Sequence, residues 1–114
     1  MAGSFETSDQ HSDQTLRPIR VPSLTSGIYS AAKEMVDDLD SWKLLEAKDD
    51  ELTLVCERDR GFMGGKATIT IRVEGPEGVP SSTVHVRSES TGGMLSKDKA
   101  NVIEFNKPFH RRVC

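Results

Sequence analysis

Two runs of this chain alternate strictly between apolar and polar side chains, and that alternation limits the possible folds more than any other feature. Between Lys66 and Glu74, the residues Ala67, Ile69, Ile71 and Val73 fall on one side of an extended chain, and Lys66, Thr68, Thr70 and Arg72 on the other. Between Ser82 and Ser90, Val84, Val86 and Ser88 oppose Thr83, His85, Arg87 and Glu89. Strands with one polar face belong in an antiparallel sheet covered on a single side. Two more runs, Trp42 to Ala47 and Glu51 to Arg58, flank the polar turn Lys48-Asp49-Asp50 and predict a further hairpin.

Helical periodicity brackets these four strands. Leu24, Ile28, Ala31, Ala32, Met35, Val36 and Leu39 recur at helical spacing, which predicts an amphipathic helix from Ser23 to about Asp40, with Ser23 or Thr25 as its cap. After the break Thr91-Gly92-Gly93, Ser96 is the expected cap of a second helix, with Ala100, Val102 and Ile103 on its buried stripe and Pro108 ending it near Asn106. The order α-β-β-β-β-α, with one apolar sheet face, predicts an α+β two-layer sandwich: an antiparallel four-stranded sheet with two helices on one face. Residues 1–22, rich in Ser, Asp, Gln and Thr at their start, read as a disordered or extended arm. Residues 23–107 form the single domain, and 108–114 a basic tail. With 114 residues and 35% hydrophobic side chains, the chain has material for one modest core.

Composition excludes several function classes. No window approaches the ~18 consecutive apolar residues of a membrane span, and the start of the chain has no apolar signal region, so a soluble cytoplasmic protein is expected. Cys56 and Cys114 are the only cysteines and have no CxxC spacing, so no zinc site or disulfide framework is implied. His11, His85 and His110 are scattered, and no metal or cofactor is expected. The net charge is −3, but residues 96–114 hold five Lys or Arg against two acids. Nucleic acid is nonetheless not expected as a partner, because the exposed strand positions offer no aromatic residues for base stacking.

The string Val86-Arg87-Ser88-Glu89-Ser90, the glycine loop after it, then Ser96 to Asn101 and Ile103-Glu104-Phe105, resembles the bacterial and plastid family called domain of unknown function 1499. Leu16-Arg17-Pro18 and Trp42 are also similar to that family. The resemblance covers roughly residues 16–107 and implies the same helix, four strands, helix order; it implies no established activity.

The candidate site residues are few. Gly61-Phe62-Met63-Gly64-Gly65-Lys66 is one residue short of a phosphate-binding P-loop and has Ala67 where Ser or Thr is needed, but Phe62 and Met63 in a Gly-flanked loop suit a partner contact. His85 and Arg87 share the polar sheet face with Thr70 and Arg72, which suits a small polar or anionic ligand. Ser88, predicted inward, needs a hydrogen-bond partner, and with Ser90 and Asn101 it flanks the glycine loop, either lining a pocket or capping the helix. Lys107, His110, Arg111 and Arg112 read as a solvated basic terminus. Many carboxylates are present, but none is paired in sequence with a nucleophile, so no catalytic residue is assigned.

These features predict a small non-catalytic binding or protein-interaction module, monomeric or weakly dimeric, whose partner is a protein or a small molecule. The alternative is a small enzyme, or an enzyme's accessory subunit, acting on a polar ligand near Ser88 and Asn101.

Overall fold

A computed structural model gives the structure of the chain and describes residues 3–59, 65–90 and 97–113. The alternating runs are strands, and they carry the core. In order along the chain lie β1 (Gly3–Glu6), a 3-10 turn (Gln14–Leu16), β2 (Ile19–Val21), α1 (Thr25–Asp38), β3 (Trp42–Lys48), a second 3-10 turn (Asp49–Glu51), β4 (Thr53–Asp59), β5 (Lys66–Glu74), β6 (Ser82–Ser90) and α2 (Asp98–Val113). Consecutive antiparallel pairs join β3 to β4, β4 to β5 and β5 to β6. Ile69 and Ile71 of β5, Val84 and Val86 of β6, and Leu54 and Cys56 of β4 are completely buried beneath the helices. The α+β class, the antiparallel sheet and the two helices are as the sequence predicts.

The strand number is not: among the described residues the sheet has six strands rather than four, in the order β1-β6-β5-β4-β3 with β2 also on β6. Both additional strands come from the segment read as an arm. β1 pairs with Arg87 to Ser90, and β2 with Ser82 to Val84, so the two lie end to end along the same edge of β6. Thr7 closes the gap between them: its amide donates to the Val86 carbonyl at 2.9 Å, and its Oγ1 accepts from the Val86 amide at 3.1 Å. These strands have four and three residues, too few to display a period, and backbone pairing along an otherwise open edge is what holds them. Leu16, Ile19 and Val21 add apolar anchors to the core.

At the opposite edge, β3 carries a bulge between Leu44 and Glu46, which leaves Leu45 half-exposed. The turn into β4 places Leu52 in the left-handed region at φ 51°. The Tyr29 hydroxyl of α1 donates to Asp49 Oδ1 at 2.6 Å, and Lys33 Nζ donates to the same oxygen at 3.1 Å, which ties the helix to this turn. Burial of the phenol, then its bond to Asp49, raises the Tyr29 pKa and keeps the hydroxyl a donor.

The helices differ from expectation at their ends. α1 begins at Thr25 with Leu24 as its cap residue and no side-chain capping bond; Leu24 itself is exposed, while Ile28, Tyr29, Ala32, Met35 and Val36 form the buried stripe. α2 does not stop near Asn106 but runs through Pro108 to Val113, so the expected basic tail is helical. A proline within a helix removes one backbone donor and costs about 3 kcal/mol. Completely buried Phe109, packed on Phe105 with ring centroids 4.9 Å apart, offsets most of that cost. The buried stripe of α2 is Asp98, Asn101, Val102, Phe105, Asn106 and Phe109, with Ala100 exposed and Ile103 partly buried. Half of this stripe is polar, and those polar residues mark the places where the helix meets the rest of the molecule.

Candidate functional site

At its first turn α2 holds a closed polar knot. Ser88 Oγ donates to Asp98 Oδ1 at 2.7 Å, Ser90 Oγ donates to Asp98 Oδ2 at 2.9 Å, and Asn101 Nδ2 donates to Ser88 Oγ at 3.1 Å. Ser88, Asp98 and Asn101 are all at most 1% exposed. The inward direction of Ser88 follows from strand alternation, and the knot brings together three residues singled out in the sequence. Each Asp98 oxygen accepts a hydroxyl, and the Ser88 hydroxyl both donates and accepts. The acid in the first turn also suits the positive end of the helix dipole. The arrangement therefore joins α2 to β6, with the hydroxyls already engaged.

Midway along α2, Glu104 makes a second polar join. It accepts a bidentate pair from Arg58, Nε to Oε1 at 2.6 Å and Nη2 to Oε2 at 3.0 Å. The Trp42 indole N–H also donates to Oε1.

On the uncovered sheet face, His85 and Arg87 lie where the alternation puts them, opposite Arg72 and Thr70 of β5. With Glu6 and Thr7 they line a hollow of about 230 Å³. Its arginines are compensated: Arg72 pairs with Glu74, and Arg87 Nε donates to Glu89 Oε1 at 3.0 Å. His85 Nε2 is shielded and has no hydrogen-bond partner among the described residues, with Glu74 Oε1 3.7 Å away. This face is electrically balanced, which weakens it as an anion site.

A different place carries uncompensated charge. The C-terminal half of α2 and the segment from Gln14 to Arg20 enclose a cleft of about 370 Å³, lined by Arg17, Arg20, Asn106, Lys107, His110 and Arg111 among others; no acidic side chain among the described residues lines it. Lys107, His110 and Arg111 form no ion pair or hydrogen bond among the described residues, and their i, i+3, i+4 spacing puts them on one helix face. Arg20 is engaged by Asp9 through two 2.7 Å contacts, and that hydrogen-bonded guanidinium holds the Asp9 carboxyl below the usual carboxylate range. Arg17 donates from Nε to the His11 carbonyl at 2.6 Å and from Nη2 to the Ser12 carbonyl at 3.3 Å, both uncharged partners, while Asp9 and Asp13 lie within Coulombic reach of it without an ion-pair contact. Asn106, 1% exposed, ties the two walls together by donating from Nδ2 to the Thr15 carbonyl at 2.9 Å.

The sequence lists the basic residues of this cleft but hides their convergence. Ending the helix at Pro108 makes Lys107, His110 and Arg111 a solvated tail, and treating residues 1–22 as an arm leaves Arg17 and Arg20 without a place. A usable signal was present in Phe109: an aromatic one helical turn after Phe105 argues for continuing the helix. Phe62, Met63, the glycine loop at Gly92-Gly93 and the expected Ser96 cap lie outside the described residues. Among the described residues no group of three or more His, Cys, Asp or Glu is placed to hold a metal ion, and no helix is long and apolar enough to cross a membrane.

No protein-family model matches the chain, and no curated protein matches it. Solved structures do match in shape. A point mutant of norcoclaurine synthase from Thalictrum flavum, in complex with a transition-state analogue, aligns with a TM-score of 0.58 at 10% identity, covering 98% of this chain and 96% of that one. Ara h 8.0201 aligns with a TM-score of 0.55 at 9% identity, covering 99% of this chain and 95% of that one. At such identities the likeness is one of fold alone, and the fold this chain resembles is the Bet v1-like arrangement of helices on an antiparallel sheet.

Proposed function

We propose that the chain is a small, non-catalytic binding module that holds a small organic anion in the cleft between the Gln14–Arg20 segment and the C-terminal half of α2. The observation that carries this reading is the concentration of basic side chains in one concave site, with Lys107 and Arg111 forming no ion pair among the described residues. Lys107, Arg111 and Arg17 face a common space with no acid in its walls. The carbonyl end of the α2 dipole opposes an anion there, but it amounts to only about half a charge against three. A volume of about 370 Å³ sits at the lower end of small-molecule pockets, which run from roughly 300 to 1,000 Å³. A neighbour in fold, norcoclaurine synthase, was solved with a small molecule bound, which is compatible with a ligand-binding use of this scaffold.

The alternative of an enzyme acting at Ser88 and Asn101 is less well supported. Their polar groups bond Asp98 and one another in a buried knot, whereas a nucleophile needs access to substrate. The same positions carry the resemblance to domain of unknown function 1499, and a structural role for the Ser88–Asp98–Asn101 knot would account for it.

Titrating the full chain with glycerol 3-phosphate, followed by two-dimensional NMR, tests the reading. Saturable shifts confined to residues 14–20 and 106–111 are expected. Affinity should fall at least about ten-fold when Lys107 and Arg111 are both replaced by Ala, since a charge-assisted bond contributes about 1.5–3 kcal/mol. Absence of saturable shifts, or shifts scattered over the surface, would overturn it.

A further inference from the structure

We infer that the cleft selects a phosphate monoester bearing a hydroxyl close to its phosphate, and that Asn106 is the residue that reads the hydroxyl. The inference rests on the cleft being the ligand site, and two independent features carry it. The first is the spacing of the donors. Lys107, His110 and Arg111 lie at i, i+3 and i+4 on one face of α2, so three donors converge on one region. A phosphate monoester presents three terminal oxygens to such a set, and a carboxylate only two. The cleft's size suits one such small molecule rather than a polymer.

The second feature is Asn106. Its Nδ2 donates to the Thr15 carbonyl at 2.9 Å and lies 3.4 Å from the Arg17 carbonyl. Both of those oxygens can only accept, which fixes the amide's orientation: turning it over would set Oδ1 against two carbonyls. Oδ1 is left buried and without a partner among the described residues, in a residue 1% exposed that forms part of the cleft wall. A buried acceptor cut off from water gains more from a ligand's donor than an exposed one does. Access to Oδ1 requires the 3.4 Å Arg17 contact, the longer of the two, to yield while the 2.9 Å Thr15 bond keeps the amide oriented. Asn106 and Lys107 both line the cleft, which puts the acceptor and the anion site within reach of one small ligand.

The test compares glycerol 3-phosphate with propyl phosphate, which has the same chain length and charge but no hydroxyl, by calorimetric titration of the full chain. Glycerol 3-phosphate binding at least ten-fold more tightly is the expected result. Asn106→Leu, checked for a native circular dichroism spectrum, should bring the two affinities within about two-fold. Should this variant fail to fold, the Asn106 side-chain amide signal of the unaltered chain decides: it should shift with glycerol 3-phosphate and not with propyl phosphate, and the same response to both would overturn the assignment. Equal affinity of the unaltered chain for both esters would overturn the role of Asn106 while the anion site stands. If neither ester binds, this inference and the anion-binding reading fall together.

Discussion

The two ends of α2 handle polar side chains in opposite ways. At the first turn, buried Ser88, Asp98 and Asn101 and half-buried Ser90 bond one another. At the far end, roughly 15 Å along the axis, Lys107, His110 and Arg111 face a cleft with no partner among the described residues. One cluster is satisfied internally and therefore stabilises the join between helix and sheet. The other stores unspent charge, which costs stability or leaves it unchanged and is useful only to something that binds. Residue type does not separate the two, since Ser, Asp and Asn are as common in sites as Lys and Arg. Engagement of their hydrogen-bonding groups does.

Substitution at each end should sharpen or break this contrast. The largest effect is expected for Asp98→Ala, which leaves the buried Ser88 hydroxyl and the half-buried Ser90 hydroxyl without their acceptor. A loss of about 2–4 kcal/mol in urea unfolding should follow, with the affinity of whatever still folds for glycerol 3-phosphate unchanged. An unaltered stability would show that the knot holds nothing. Midway along the helix, Glu104→Gln weakens the bidentate Arg58 pair while keeping the shape of the side chain; because both partners retain some solvent contact, about 1–2 kcal/mol is expected by the same method. Replacing Lys107 and Arg111 together by Ala should reverse the pattern, with stability within about 0.5 kcal/mol of the parent and anion binding reduced at least ten-fold. A large loss of stability there would mean that the two cations serve the helix end instead. Smallest of all should be Arg112→Ala, which removes an exposed 2.7 Å pair with Asp38 and is expected to change stability by no more than about 0.5 kcal/mol and binding not at all.

Cys56 offers a check on the sheet between the two ends. Burial in β4 pushes its thiol pKa up to about 12 from an ordinary 9.0. The folded chain thus keeps a proton that the unfolded chain releases, so stability should fall as pH rises from about 9 to about 12. The thiol should also resist alkylation at pH 8 until the chain is unfolded. Ready alkylation of Cys56 in the native state would show that this part of the core opens.

What could be read from the sequence followed the strength of the periodic signal. β5 and β6, with nine residues each, announce both their extent and their buried face. The inward direction of Ser88 and the outward direction of His85 and Arg87 follow from the same alternation. β1 and β2 have no such signal, because their pairing uses backbone groups that every residue possesses. α2 was shortened because the local rule about proline is real, but in this chain it is outweighed by the burial of Phe109 three-dimensionally against Phe105. The cleft depended on both of these elements, so it stayed hidden although each of its basic residues was visible.

The pairing of β1 with β6 also has a consequence in time. Gly3 lies opposite Ser90, so β1 precedes its hydrogen-bonding partners by most of the sequence. Until β6 is made, β1 and β2 have no edge to join, and closing so long a loop is entropically slow. The β3–β4–β5 meander, built from neighbours in sequence, is free to form first. Completing the sheet then requires the return of the segment that holds β1 and β2, and the same segment supplies the Gln14–Arg20 wall of the cleft, so the cleft exists only once the edge of β6 is paired.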